Sequence, residues 1–299
     1  MGQKCSYGEQ VGMAHATVLV MSASTDYGRA YVSDIVRARL PQPARRLARR
    51  AAALTEKAQQ KAFDAFFGVS TRGTDITTAD SLFVTGGDST AYGGCQWVSV
   101  RSALSKLSPT DRETFVDIGA GKGKAVLIAA RLGYRRALGI ELDAGLAEQG
   151  QQNIDRARPR LKAKAEVLNV DALTWSIPED VSVIFMLCPF LGETFHQVAA
   201  AIIDAYDKAP RPLHIVYAKP WEHDWLLSTG RVAVIGVQPR FWPTQPGWWR
   251  SQNVTVTYRV MPKDASPAEA KRLHGRRYRN QQAFERWSKP NGQAFDFKP

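Results

Sequence analysis

The chain has 299 residues, with 40 basic and 28 acidic side chains and a net charge of +12. This length suffices for one large domain or two small ones, and the absence of any run of 18 apolar residues argues against a membrane-spanning helix. The three cysteines, at positions 5, 95 and 188, have neither metal-binding spacing nor even pairing, so we expect no metal site and a reducing, cytoplasmic compartment.

The positive charge is concentrated in two flanks, 31–61 and 263–299. The first holds 8 basic and 2 acidic residues, and the second holds 9 basic and 4 acidic residues. The rest of the chain is close to neutral. Basic flanks on a neutral core can recruit RNA or another acidic partner, although a solvated helix surface and a charged tail are the ordinary alternative.

The first helix signal near the core is the segment 59–68, which is rich in aromatic residues and ends at Gly68. A glycine is the usual residue just after the end of a helix. A loop over 75–95 follows, with several glycines and Tyr92, and a second helix is predicted over about 98–107.

Three alternate glycines follow the apolar run 115–118. The order of strand, Gly119, Gly121, Gly123 and alanine-rich helix indicates a tight turn whose backbone a ligand can approach. The helix start could also receive an anionic group. A dinucleotide-binding turn would need a third glycine at position 124, where this chain has Lys124, so the spacing excludes that pattern.

Two acidic residues follow the next two predicted strands. The strand 136–141 ends in Glu141, about 20 residues after the turn, where a carboxylate can accept both hydroxyls of a ribose. A third strand, beginning at Ala165, ends in Asp171 and Ala172. Either acid alone could equally be a helix cap.

The remaining strands complete an open α/β sheet. A fourth strand over 181–188 leads into Pro189 and Phe190, and a fifth over 213–219 ends at Pro220 and Trp221. The last two, 231–238 and 253–261, have no helix pattern between them and should pair antiparallel. The connector between them is long for a hairpin and includes Trp242 and Trp248.

These motifs, taken in order over about 63–261, resemble the class I S-adenosylmethionine (SAM) methyltransferases. More narrowly, they resemble a bacterial group distantly similar to the non-SET protein-lysine methyltransferases. The resemblance implies a Rossmann-like, seven-stranded, mostly parallel sheet with an antiparallel last strand, preceded by an N-terminal helical segment. It implies SAM as the cofactor, contacted by Tyr92, Asp117, Gly119, Ala120, Gly121, Gly123, Glu141, Leu142, Asp171, Ala172 and Cys188.

The methyl acceptor is less well defined by the sequence. Relatives often have Asn-Pro-Phe after the fourth strand, whereas this chain has Cys188-Pro189-Phe190. The missing amide puts N-methylation of lysine or a base in doubt. The predicted substrate-contacting residues are Pro189, Phe190, Trp221, Trp242 and Trp248, although the tryptophans of the connector could equally fill a gap against the sheet.

A general base is needed only if the acceptor is protonated. The candidates beyond the strand ends are Glu193, His196 and His223. Each of them could instead be an ordinary surface or capping residue.

The sequence thus predicts four segments. They are a flexible leader (1–30), an N-terminal helical segment and cofactor lid (31–110), a SAM-dependent methyltransferase core (111–262) and a basic tail (263–299). The predicted acceptor is a small molecule, such as a specialised metabolite. The alternatives are protein lysine or RNA recruited by the basic flanks, or a SAM- or nucleic-acid-binding protein without catalysis.

Overall fold

Strands and helices alternate along most of the computed structural model, which describes residues 41–71, 95, 97–239 and 254–273. The strands are β1 (Thr114–Ile118), β2 (Arg136–Glu141), β3 (Ala165–Asn169), β4 (Val181–Leu187), β5 (His214–Ala218), β6 (Val232–Pro239) and β7 (Val254–Val260). The helices are α1 (Gln42–Phe67), α2 (Trp97–Leu104), α3 (Lys124–Leu132), α4 (Ala144–Arg156), α5 (Pro159–Lys162), α6 (Gly192–Lys208), α7 (His223–Ser228) and α8 (Pro267–Leu273). A short 3₁₀ turn, Pro109–Asp111, precedes β1.

The seven strands form one sheet in the order β3-β2-β1-β4-β5-β7-β6. Strands β1 to β5 pair in parallel, and β7 is antiparallel to both of its neighbours, β5 and β6. The chain therefore has the predicted α/β fold, a Rossmann-like mostly parallel sheet with an antiparallel last strand.

Apolar side chains cover both faces of the sheet. Strand β1 is buried along its whole length, as expected for a central parallel strand between two layers of helices. Its Phe115 faces a core shared with α1, α2 and α3, whereas its Val116 and Ile118 face a core shared with α6 and α7. Within the described ranges, no helix is both long and apolar enough to cross a bilayer.

Three element boundaries differ from the sequence prediction. Helix α1 ends with the predicted glycine directly after it, since Gly68 follows Phe67 with a left-handed φ of 73°, but it begins at Gln42. Helix α2 stops at Leu104, since the 3₁₀ turn containing Pro109 and Asp111 intervenes before β1. Strand β3 ends at Asn169, so Asp171 lies in the following turn.

A buried side chain of α4 joins the end of α1 to the glycine turn. Asn153 accepts a hydrogen bond from the Ser70 amide (2.9 Å) and donates to the Ser70 carbonyl (3.0 Å) and the Lys122 carbonyl (3.1 Å). Buried backbone groups need such partners, because leaving them unpaired costs free energy. Asn153 thereby fixes α1 against the turn that follows β1.

We predict that Asn153→Ala lowers the free energy of unfolding by about 1–3 kcal/mol, because the backbone groups it pairs lose their partners. Urea denaturation would measure the change. The matched control is Gln152→Ala on the same helix, whose exposed side chain donates only to Glu148 (3.1 Å) and should change stability by less than about 0.5 kcal/mol. Equal effects of the two substitutions would contradict the linking role of Asn153.

Candidate functional site

The carboxyl ends of the parallel strands meet at one edge of the sheet. In the register, Ile118 at the end of β1 lies beside Ile140 of β2 and Met186 of β4. Strand β5 extends the same row, since its Tyr217 lies beside Met186. Open α/β sheets bind ligands at this edge, where the loops leaving neighbouring strands come together.

The glycine turn sits at the centre of this edge. Gly119, Gly121 and Gly123 all have left-handed φ angles, of 78°, 51° and 75°. A Cβ at Gly119 would lie 2.6 Å from the Pro189 side chain, so only glycine fits between β1 and the loop after β4. The spacing of glycines therefore reflects both the backbone conformation and a close contact with Pro189.

The amides of the turn already have partners inside the protein. Those of Gly119 and Ala120 donate to the Ile140 carbonyl (2.8 and 3.1 Å), and that of Gly121 donates to the Glu141 carboxylate (2.7 Å). These hydrogen bonds hold β1 and β2 together. The three amides are therefore not available to bind an anionic group, which the sequence had suggested as a possible role for the turn.

Asp117 is the last residue of β1 on the face towards α1 to α3, and only 4% of its surface is exposed. Among the described residues, none donates a hydrogen bond to its carboxylate and none forms an ion pair with it. Burial, and secondarily the charge of Glu141, raises its pKa well above the usual range. A carboxylate that is buried without a donor from these residues favours the binding of a ligand that carries a cationic hydrogen-bond donor.

Two further residues that sequence reasoning missed, Cys95 and Lys124, lie beside the glycine turn and the end of α1. Burial raises the pKa of the Cys95 thiol to about 12, and the charges of Lys124 and Asp117 act on it in opposite directions. Lys124 also donates to the Gln60 side chain of α1 and lies 4.9 Å above the Phe63 ring. Helix α1 thus reaches the edge that carries the glycine turn, although nothing in its sequence pattern signals this.

Glu141 is held by backbone amides at the end of β2. One of its oxygens accepts from Gly121 (2.7 Å) and the other from Asp143 (3.0 Å), while burial raises its pKa. The next residue, Leu142, is 63% exposed. Asn169 of β3, another residue missed from the sequence, donates to the carbonyls of Glu141 and Leu142 (3.0 and 2.9 Å) and fixes this turn.

Asp171 and Ala172 are half-buried in the turn after β3. One carboxylate oxygen of Asp171 accepts a hydrogen bond from the Leu173 amide (2.9 Å), and the backbone carbonyl of Asp171 accepts one from the Trp175 amide (3.0 Å). One carboxylate oxygen of Asp171 therefore caps the turn that contains it. Among the described residues of this turn, none donates to the second carboxylate oxygen.

Cys188, directly after β4, has a left-handed conformation with a φ of 46°, which is unusual for a residue other than glycine. Burial raises the pKa of its thiol to about 11, so the thiol is neutral near pH 7 and does not provide a thiolate nucleophile. Phe190 is 7% exposed and packs in the core towards α6. Its ring therefore packs in the hydrophobic core and exposes little area to solvent.

The three candidate bases lie at the starts of two helices: Glu193 and His196 in α6, and His223 in α7. His196 stacks on Trp225 with ring centroids 4.0 Å apart, and its Nε2 lies 3.5 Å from Glu222. Glu193 is exposed and accepts from Gln197 (3.0 Å). The Nδ1 of His223 lies 2.6 Å from the Tyr258 hydroxyl, and His223 directly follows Glu222, which faces His196.

Glu222, which the sequence pattern does not reveal, joins the loops after β4 and β5. It accepts a hydrogen bond from the Gly192 amide (2.9 Å) and faces His196. Trp221 beside it is exposed. The predicted contacts of Tyr92, Trp242 and Trp248 lie outside the described residues.

Comparison with protein-family models finds no match to this chain, and comparison with curated protein sequences finds none. Comparison with solved structures finds distant resemblances to methyltransferases. The glycopeptide N-methyltransferase MtfA, complexed with SAM, is 10% identical, with a TM-score of 0.45 over 56% of this chain and 94% of that chain. The ribosomal protein L11 methylase of Lactobacillus delbrueckii subsp. bulgaricus is 13% identical, with a TM-score of 0.40 over 57% and 81%. A TehB-like SAM-dependent methyltransferase of Corynebacterium glutamicum is 16% identical, with a TM-score of 0.40 over 55% and 88%.

We predict that Asp117→Asn stabilises the ligand-free protein. The unfolded carboxyl ionises near pH 4, whereas the folded one resists ionisation, so the wild type loses stability as the pH rises through this interval. Asparagine removes the loss, so the gain in stability should grow as the pH rises above the range in which the unfolded carboxyl ionises, until the folded carboxyl ionises as well. Thermal unfolding at several pH values measures it, at about 2–4 °C per kcal/mol.

The control is Asp180→Asn, which removes a carboxylate that accepts from Thr114 (2.6 Å) and Arg135 (3.1 Å). This variant should be less stable than wild type. A midpoint for Asp117→Asn that is lower than wild type at every pH would contradict the account of the unpartnered carboxylate.

Proposed function

We propose that this chain is a SAM-dependent methyltransferase whose SAM site lies at the carboxyl edge of the sheet. The observation that carries the proposal is the buried Asp117 carboxylate, for which the described residues provide neither a hydrogen-bond donor nor a cation. The α-ammonium group of the methionine part of SAM supplies both. A charge-assisted hydrogen bond in a site with little water is among the stronger polar contacts available.

The other residues of this edge suit the remaining parts of SAM. Each Glu141 oxygen accepts one backbone hydrogen bond and retains a lone pair that can accept a ribose hydroxyl. The exposed side chain of Leu142 is available to cover the adenine ring, and the second oxygen of Asp171 is available to its amine. When bound, SAM supplies an activated methyl group, so the protein has mainly to position the acceptor in line with it.

For the acceptor we propose a small molecule. The residue after β4 provides a buried, neutral thiol with a raised pKa, at Cys188, instead of a side-chain amide that could orient an amine. The lack of this amide weighs against a lysine side chain as the methyl acceptor. The alternative is a protein or RNA acceptor, for which the support is the charge of the basic flanks 31–61 and 263–299.

If the acceptor is protonated, one of Glu193, His196 and His223 would serve as the general base. The contact between His196 and Glu222 and the contact between His223 and Tyr258 would each hold an imidazole in a defined orientation. Glu193 is exposed, accepts from Gln197 and lies 3.9 Å from the His196 Nδ1. On geometry the two histidines are therefore stronger candidates than the glutamate.

Isothermal titration with SAM and with 5′-methylthioadenosine, which lacks the amino acid part, tests the cofactor site. Asp117→Asn should weaken SAM binding by about 2 kcal/mol, roughly 30-fold, because the ammonium loses its charged partner. Its effect on 5′-methylthioadenosine should be small. Glu141→Gln should weaken both ligands, since both contain the ribose.

The control for these titrations is again Asp180→Asn, which should bind both ligands like wild type. Absence of SAM binding to wild type would overturn the proposed function. Equal losses of SAM and 5′-methylthioadenosine in Asp117→Asn would overturn the assignment of Asp117 to the ammonium group.

Transfer of a deuterated methyl group from labelled SAM distinguishes the acceptor classes. We expect the label in compounds below about 1 kDa when wild type is given a mixture of small molecules, protein and RNA. Label in RNA, with affinity that falls steeply as salt is raised, would instead support recruitment by the basic flanks. Label in protein would favour a side-chain acceptor.

A further inference from the structure

In the part of the chain that the structure describes, two buried side-chain oxygens at the far side of the sheet have no hydrogen-bond partner. Gln238, near the end of β6, is 5% exposed, and Thr257, in the middle of β7, is 3% exposed. The Gln238 Oε1 and the Thr257 Oγ1 are both fully buried and form no hydrogen bond. Buried polar atoms are nearly always paired, and those that are not require an explanation.

The two side chains converge on one point above Gly236. A Cβ built on Gly236 would lie 3.2 Å from the Gln238 Nε2 and 3.6 Å from the Thr257 Oγ1. The side-chain amide and the hydroxyl are therefore close neighbours. Because residue 236 is glycine, the space between them holds no side chain from the strand beneath.

A β-bulge turns Gln238 towards this face of the sheet. Val234 pairs with Tyr258 and Gly236 pairs with Thr257, so Ile235 is an extra residue in β6. Val234 faces the core towards α6, and strict alternation from it would point Gln238 to that same face. With the bulge, Gln238 instead lies opposite Thr255, on the face that carries Asp117. Bulges often re-aim a side chain near a functional site.

The register places this pair on the same face and edge as the proposed SAM site. Asp117, Phe185, Val216 and Thr257 form one row across β1, β4, β5 and β7. Gln238 lies one row nearer to the carboxyl edge, in line with Ala218 of β5. Three strand spacings separate Asp117 from Thr257, or about 14 Å. Helix α2 packs over β6 and β7 on this face.

We infer that Gln238 and Thr257 form an acceptor-recognition subsite for an uncharged group that donates an N–H or O–H hydrogen bond, such as a carboxamide or an alcohol. The Gln238 Oε1 accepts from the ligand, and the Thr257 hydroxyl donates to it or accepts from it. Neither side chain carries charge, so the subsite favours a neutral group. This inference rests on the proposed methyltransferase function and specifies the chemistry of its acceptor.

The test uses the full-length protein saturated with S-adenosylhomocysteine, and it compares benzamide with methyl benzoate as probes of nearly equal size. Only benzamide has N–H donors for Gln238. Ligand-observed NMR titration should show that wild type prefers benzamide. Gln238→Leu and Thr257→Val should each weaken benzamide binding by about tenfold, with little effect on methyl benzoate.

Thermal unfolding of the same variants separates recognition from a structural role. Replacing an unpartnered polar group with an apolar group of similar shape should leave the unfolding midpoint unchanged or raise it. The control is Ser182→Ala, which removes a buried hydroxyl that already donates to the Thr114 carbonyl (3.3 Å). It should lower the midpoint and leave benzamide binding unchanged.

The inference is overturned if wild type does not prefer benzamide, or if the two variants bind it like wild type. It is also overturned if Gln238→Leu and Thr257→Val lower the midpoint as Ser182→Ala does, because the side chains would then be bound to internal water or to packing partners. Binding of S-adenosylhomocysteine is measured separately by calorimetry. Its absence would overturn the methyltransferase proposal, whereas the benzamide comparison can still be made on the ligand-free protein.

Discussion

A buried carboxylate at the end of the central strand is the feature on which the functional account depends. Asp117 lies near the end of the buried strand β1, directly before the glycine turn, on the face of the sheet that carries the core shared with α1, α2 and α3. The described residues give it no hydrogen-bond donor and no cation, and burial under these conditions costs free energy and raises its pKa. A fold keeps such a group when a ligand supplies the missing charge, and strained or unsatisfied positions cluster at functional sites for this reason.

The surrounding structure holds this carboxylate in place. The glycine turn is bonded to β2 through Ile140 and Glu141, and it packs against Pro189 of the loop after β4. From the other side, Asn153 joins the turn to the end of α1. Three loops from three strands are thereby fixed relative to one another, which gives the edge of the sheet a defined shape before any ligand binds.

The sequence predicted the sheet well because its signals are local. Apolar runs, the glycine spacing and the lack of a helix between β6 and β7 each define their own element, and strand pairing follows from the rules of parallel sheets. The predicted cofactor residues from Asp117 to Glu141 also lie at one edge, because parallel strands present their carboxyl ends together. The residues after β3 were placed less well, since Asp171 belongs to a turn rather than to the strand.

The other contacts of the site could not be read from the sequence, because they join residues far apart in the chain. Gln60, Cys95 and Lys124 approach one another only when α1 and the start of α2 pack beside the glycine turn. The bulge at Ile235 has no distinctive sequence signal, yet it reverses the direction of Gln238. The burial of Phe190 in the core that also contains residues of α6 was likewise not indicated by its position after the fourth strand.

The ionisation of Asp117 tests the central claim most directly. Carbon-13 NMR of a selectively labelled Asp117 carboxyl group would follow its titration in the ligand-free protein and in the complex with SAM. The account predicts that the ligand-free carboxyl titrates well above the ordinary aspartate range, and that SAM lowers its pKa by pairing it with the α-ammonium group. A carboxyl that titrates near pH 4 without ligand, or a raised pKa that SAM leaves unchanged, would contradict it.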